Sequence, residues 1–376
     1  MGWLELVFFA LLFFSFYSYV FFPLSLALLT RVFSRAWKRA EGEPLVTVII
    51  SAYNEEKDIK GKVENTLALD YPEDKLSIVV SSDGSTDRTD EIVQGMSDRR
   101  LLLRSFSGRI GKTACLNRVI EEFEGELVVF TDANSMFSPG VLRQLVSNFN
   151  DPEIGAVSGW TKYCNSASGE ETTGLYARIE RQVKVAESSV ASCVGADGAI
   201  FAIRKELYRP LRSDDINDFV VPLNVVKQGY RVVLDEKVFC LEEATEGVGN
   251  IYKRQVRITT RTAWALWRHL GLLNVFRYGF FSYFLISHKI LRLLTPFFLL
   301  AVFVVNLMLL SRSPLYLVPL SAQLLLLVTA MAAFSGTLVG TAPSVCKYFL
   351  ITFLAQAVGC LRMVFGQRDV VWTPKR

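Results

Sequence analysis

The feature that most constrains this chain is a pair of apolar ends around a charged middle. Residues 6–29 form a run of 24 without one charged side chain. About 20 apolar residues cross a bilayer core as a helix, so the run is long enough to span. Pro23 lies inside it, and membrane helices tolerate proline. The run exceeds a signal-peptide core of roughly 7–15 residues, and no small-x-small cleavage site follows it. Arg31, Arg35, Lys38 and Arg39 come directly after. Basic flanks stay on the cytoplasmic side. The expectation is an uncleaved signal anchor at 1–30, with Met1 outside, and a basic cytoplasmic linker at 31–44.

The C-terminal third repeats the pattern. Charge-free runs at 293–310 and 315–338 predict spans near 291–311 and 315–338, joined by Ser311-Arg312-Ser313-Pro314. A further run, 348–361, has only 14 residues between Lys347 and Arg362. That length suits an interfacial or re-entrant helix better than a span, so 345–364 is read as interfacial or as a third span. Arg368, Lys375 and Arg376 follow, and they are cytoplasmic only if two spans precede them. Between 251 and 288, Lys253, Arg254, Arg257, Arg261 and Arg268 alternate with Trp264, Trp267, Phe280, Phe281 and Tyr283. This predicts amphipathic helices on the cytoplasmic leaflet, touching membrane lipids. A soluble helical subdomain is the other reading. The chain is thus expected to be a multi-pass protein of the inner or plasma membrane.

Composition narrows the class. The 376 residues are 51% hydrophobic and 21% charged, against about 25% charged in an ordinary soluble domain. Disorder, coiled coil and collagen are excluded. A net charge of +4 is too small to argue for nucleic acid. Six cysteines show no CxxC pair, and His269 and His288 are the only histidines. The expectation is reduced thiols rather than a zinc site.

Residues 45–250 read as a soluble α/β domain. The apolar runs 45–52, 76–82, 101–105 and 126–131 predict buried strands. Helices are predicted at 57–69 and 112–123 and from Ser138-Pro139 to about Asn148. The alternation implies an open parallel sheet with helices on both faces. Ligands of such sheets bind outside the carboxyl ends of the strands. Those ends carry Asn54-Glu55-Glu56, then Asp83, then Asp132 and Asn134. Like charges gathered at one edge do not favour folding. They make sense around a divalent cation and ligand donor groups, although each cluster alone is also ordinary turn chemistry. Gly108-Arg109-Ile110-Gly111-Lys112 before a helix is a possible phosphate cradle, but it is not a P-loop.

In order, VTVIISAYNEEKDI, VVSSDGSTDRT, GRIGKTACLN and FTDANSMF resemble the motifs of family 2 inverting glycosyltransferases. The similarity is to the membrane-bound branch of cellulose, chitin and hyaluronan synthases, and it covers about residues 45–262. It implies a GT-A type, Rossmann-like nucleotide-sugar domain with N- and C-terminal membrane helices. By that resemblance Tyr53 and Glu55 line a nucleoside pocket, Asp83 contacts the base or ribose, and Lys112 lies near the diphosphate. Asp132 and Asn134 hold Mg²⁺ or Mn²⁺. Asn134 stands where a second acid is common; it keeps a ligand oxygen but loses a negative charge, which implies a lower metal affinity. Asp197 and Gly198 lie near the donor sugar. Asp218 is the catalytic base, in an Asn217-Asp218 pair where relatives carry two acids. Asp214 and Asp215 lie nearby as candidate helix-capping residues, and Asp215 is the alternative base.

The Q-x-x-R-W element of processive synthases reads Arg254-Gln255-Val256-Arg257-Ile258 here. The resemblance gives Arg254 and Arg257 to the diphosphate; anionic lipid is the competing partner. Ile258 replaces the tryptophan expected beneath an acceptor sugar. Residues 372–376 resemble the W-x-x-x-R ending of many relatives. The implied activity is transfer from a nucleotide-sugar donor, UDP-linked, to a growing glycan in polysaccharide biosynthesis. A single addition to a lipid or lipid-linked acceptor is the alternative. A non-catalytic nucleotide-sugar-binding protein is the reading outside the enzyme class.

Overall fold

A computed structural model describes residues 2–164, 171, 174–243 and 248–368. Contacts divide the described chain into a helical unit (2–25, 248–268 and 285–368) and a mixed α/β unit (26–243 and 269–284). The chain opens with helix α1 (Trp3–Phe33), 31 residues long and apolar enough to cross a membrane. A π-turn at Tyr17–Phe21 interrupts it just before Pro23. Proline has no N–H, and its ring crowds the carbonyl four residues back, here Tyr19. A wider turn relieves that clash.

The α/β unit is built on eight strands. β1 (Val46–Ala52) is followed by α2 (Ile59–Leu67), β2 (Leu76–Ser82), α3 (Thr89–Gln94), β3 (Leu101–Ser105), α4 (Lys112–Glu122) and β4 (Leu127–Asp132). Then come β5 (Met136–Phe137), α5 (Val141–Ser147), β6 (Ile154–Cys164), α6 (Leu175–Val190), β7 (Ile200–Arg204), α7 (Asn217–Lys227) and β8 (Arg231–Glu243). The sheet order is β3-β2-β1-β4-β7-β6-β8-β5. β1 and β2 are buried on both faces, as their unbroken apolar runs require.

The expectation of one parallel sheet holds for β3-β2-β1-β4 and for the β6-β8 pair, but β7 and β5 run antiparallel to their neighbours. β7 pairs antiparallel with β4, with Thr131 opposite Ile200. The reason lies in the turn that feeds it. Asp197-Gly198 sits at the edge where β4 ends, so β7 must run back from that edge. This reversal brings a second set of polar residues to the carboxyl ends of β1, β2 and β4. The helix expected from Ser138-Pro139 starts later, at Val141 with Gly140 as N-cap; Ser138 O accepts from Val141 N to form a preceding turn. Phe130 and Phe201 stack across β4 and β7, with centroids 4.5 Å apart, and tie the two sheet halves together.

The chain continues with α8 (Val248–Arg268), α9 (Phe280–Leu309, in the helical unit from Leu285), α10 (Pro314–Phe334) and α11 (Thr341–Val364). The last three are each long and apolar enough to cross a membrane. Two boundaries differ from the sequence reading. The continuous helix expected near 291 begins at Phe280, so 280–288 belongs to it rather than to interface helices. The 14-residue run at 348–361 is the middle of a 24-residue helix, so its length no longer argues for an interfacial position. The helix runs through Lys347, itself a good helix former, whose ammonium lies 5.3 Å from the Phe334 ring. Gly359 packs on α8, where a Cβ would meet Thr259 at 2.6 Å. Trp264 Nε1 donates to Gln367 O. The two contacts show α8 and α11 running side by side in the same direction. A second π-turn, Leu285–Ile290, meets the first: Ser18 Oγ donates to Ser287 O at 2.7 Å. All six cysteines are free thiols.

Candidate active site

The loops after β1 and β2 are laced together. Asn54 is left-handed at φ 55°, a conformation asparagine tolerates. Its side-chain oxygen accepts from Thr86 N at 2.8 Å, and its N–H donates to Ser85 Oγ. Glu55 is buried; its N–H donates to Thr89 Oγ1, and its carbonyl accepts from Asp58 N and Ile59 N, starting α2. Asp83, 6% exposed, ends β2. Its Oδ1 accepts from Ile110 N (2.8 Å) and Gly111 N (3.0 Å), and its Oδ2 from Arg109 Nε (3.2 Å). The Arg109 guanidinium lies 3.3 Å from the centroid of the Tyr53 ring. Gly84 has φ +69°, and a Cβ there would sit 2.5 Å from Gly108 O, so only glycine fits.

This corrects the reading of 108–112 as a phosphate cradle. The N–H groups of Ile110 and Gly111 already serve the Asp83 carboxylate. The loop covers Asp83 and Tyr53, and its Lys112 turns toward Asp132. Lys112 Nζ donates to Asp132 Oδ1 at 2.6 Å. Both side chains are more than one-third exposed, so the pair adds little stability, about 0–1 kcal/mol.

The antiparallel β7 delivers the other half of the site. Asp197 accepts from Thr161 N (2.9 Å), Thr161 Oγ1 (2.9 Å) and Ala199 N (3.1 Å), and its own N–H donates to Ser158 Oγ. It builds the turn into β7 at this edge. A Cβ on Gly198 would lie 3.1 Å from Asp218 Oδ2, so Gly198 faces that carboxylate. Asp218 stands in the first turn of α7, where a helix dipole favours negative charge. Burial nevertheless raises its pKa. Lys112 and Lys184 pull it down, and Asp197 and Asp132 push it up. Burial also opposes the charge of Lys184, but Glu180, Cys193, Asp197 and Asp218 outweigh it and raise its pKa. Asp215 accepts from Arg212 N, while its own N–H donates to Arg212 O, so it closes a local turn.

Tyr53, Asp83, Lys112, Asp132, Asp197, Gly198 and Asp218 therefore share one edge of one sheet. Arg254 and Arg257 lie on α8 in the helical unit. Residues 372–376 lie outside the described residues. Sequence reasoning missed Lys184, Thr161 and the stacking of Arg109; they act through the fold and have no local motif. A divalent cation fits the donor set as a minimal site. Asp132, paired here with Lys112, would supply a carboxylate and Asn134 an amide oxygen. Among the described residues no group of three or more His, Cys, Asp or Glu could hold a metal. Magnesium-like sites commonly use one or two carboxylates and complete their shell with substrate phosphates and water.

The fold is that of GT-A glycosyltransferases. It matches a solved mannosyltransferase, PcManGT from Pyrobaculum calidifontis in complex with GDP-Man and Mn²⁺, with TM-score 0.75 and 23% identity over 97% of this chain and all of that one. Residues 47–210 match glycosyl transferase family 2, and this stretch is a family 2 glycosyltransferase domain. The chain is 26% identical over 239 residues to poly-beta-1,6-N-acetyl-D-glucosamine synthase of Staphylococcus aureus. It is 24% identical over the same length to the enzyme of that name from Staphylococcus epidermidis. Each match covers 61% of this chain and 56% of the relative.

Proposed function

We propose that the protein is an inverting glycosyltransferase of the membrane, moving a sugar from a nucleotide donor to a glycan at the cytoplasmic face. One observation carries the reading: Asp218 faces Gly198 and lies in the field of Asp132, Asp197 and Lys112 at the carboxyl edge of the sheet. Tyr53, Asp83 and Arg109 bind the nucleoside. Lys112 meets the diphosphate. Asp132 and Asn134 would hold Mg²⁺ or Mn²⁺, which would offset charge on the leaving diphosphate. Asp218 takes the proton of the acceptor hydroxyl as its oxygen attacks the anomeric carbon. The hydroxyl is far too weak an acid to ionise alone, and a placed base typically contributes about 10²–10⁴-fold. The bond to the diphosphate breaks on the opposite face, so configuration inverts in one displacement.

The donor is assigned as UDP-linked, in keeping with the poly-N-acetylglucosamine synthases among the relatives. The GDP-Man in the mannosyltransferase complex supports a GDP-linked donor as the second reading. The acceptor is assigned as a growing polysaccharide. Ile258, where processive synthases carry tryptophan, favours a single addition to a lipid-linked acceptor as the alternative. The basic residues after α1 favour a cytoplasmic catalytic unit. The amphipathic α8, flanked by α11, favours placing that helix pair at the lipid surface.

A donor screen on the purified full chain with Mn²⁺, read as nucleoside diphosphate release, tests the activity. Release from one UDP-sugar is the expected result; release from GDP-mannose alone moves the donor to the second reading. No release from any sugar nucleotide, with acceptor membranes present, overturns the enzyme. Gel filtration of the labelled product then separates polymer from a single addition.

A further inference from the structure

Behind the site lies a lysine that the chemistry above does not use. Lys62 is on α2 and is 0% exposed. An ammonium removed from water is strongly disfavoured unless specific groups hold it. Burial lowers the Lys62 pKa to about 7, against the opposing pull of Cys240, Asp132 and Glu242. Its Nζ donates to the carbonyl of Ser135 and lies 3.4 Å from the centroid of the Phe137 ring. Asn65, one turn further along α2, grips the same stretch. Its Nδ2 donates to Phe137 O at 2.8 Å, and its Oδ1 accepts from Phe137 N at 2.8 Å. From the other side, Ser135 Oγ donates to Glu242 Oε1 at 2.5 Å. The turn itself closes through Ser135 N donating to Asp132 O.

Ser135 and Phe137, just after Asn134, are thus pinned by side chains from α2 and β8. Pure packing has no need of a buried lysine here, since a methionine would fill much of the same space without the charge. What the lysine adds is a fixed donor to the carbonyl at the end of the Asp132-Ala133-Asn134 turn. We propose that Lys62, assisted by Asn65, is a positioning residue that holds this turn so that Asp132 and Asn134 present their oxygens to one divalent cation. The proposal rests on the reading of Asp132 and Asn134 as cation ligands. Lys62 touches neither the cation nor the donor; it acts through the Ser135 carbonyl.

The test is Mn²⁺ binding to the purified full chain, followed by the electron paramagnetic resonance of free Mn²⁺, with thermal unfolding recorded on the same samples. Lys62→Met removes the donor, and Lys62→Gln keeps an N–H for the Ser135 carbonyl. Mn²⁺ affinity is expected to fall at least tenfold in Lys62→Met and less than threefold in Lys62→Gln. Equal affinity in folded Lys62→Met and wild type overturns the proposal and leaves Lys62 as packing. Should Lys62→Met not fold, Asn65→Ala removes the second grip; unchanged affinity there also overturns it. Absence of Mn²⁺ binding in wild type instead strikes the cation reading of Asp132 and Asn134, and the role of Lys62 falls with it.

Discussion

Two stretches meet at the same sheet edge and treat their polar groups differently. After β1 and β2, the side chains of Asp83 and Asn54 are held by protein partners. Asp83 alone accepts three N–H groups, and Asn54 binds across to Thr86. At the start of α7, Asp218 Oδ1 and Asn217 Nδ2 are buried with no hydrogen-bond partner among the described residues. Buried polar atoms are paired in the great majority of cases. The contrast assigns different tasks. On the proposed function, the first region is hydrogen-bonded scaffolding around the nucleoside. The second leaves polar atoms facing the place where reacting groups must come.

The largest effect should fall on the second region. Asp218→Asn is expected to lower turnover by about 10²–10⁴-fold, the usual contribution of a general base, measured as nucleoside diphosphate release. A smaller loss would give the proton transfer to another group. The first region should instead respond in stability. Asp83→Ala leaves the N–H groups of Ile110 and Gly111 without their acceptor. It is expected to destabilise the α/β unit by about 1–3 kcal/mol, read from chemical unfolding, and to weaken donor binding. Stability unchanged by Asp83→Ala would remove the distinction between the two regions.

A subtler effect concerns pH. The base must be deprotonated, and burial raises the Asp218 pKa. The acid limb of kcat/KM should therefore lie above the ordinary aspartate value of about 3.9. Lys184 opposes that rise, so Lys184→Met should move the limb to still higher pH. A limb that stays in place would detach Lys184 from the base. The smallest effect is a control outside both regions. Arg99 and Glu73 pair on the surface at 3.3 Å, with side chains 75% and 63% exposed. Arg99→Ala should change stability by under about 0.5 kcal/mol.

How much of this was legible in the sequence follows the same divide. β2 and β3 lie where their apolar runs predict them, because a buried parallel strand is a local pattern. Asp83 and Asp132 were visible because each ends such a run. Asp218 needed the family resemblance, since no nearby strand announces it. The antiparallel course of β7 was hidden, because strand–helix alternation does not state direction. Lys62 and Lys184 were hidden too, for a lysine in a helix ordinarily signals solvent. Helix α11 outran its apolar stretch because Lys347 and Arg362 are themselves good helix formers and a charge does not mark a helix end.

The central claim is that the nucleotide is gripped by one region while the proton is taken by the other. Calorimetric titration of Asp218→Asn with the donor sugar nucleotide and Mn²⁺ tests it most directly. The account expects a Kd within about threefold of wild type in a protein that no longer transfers sugar. A Kd weakened more than tenfold, or transfer at the wild-type rate, would contradict it.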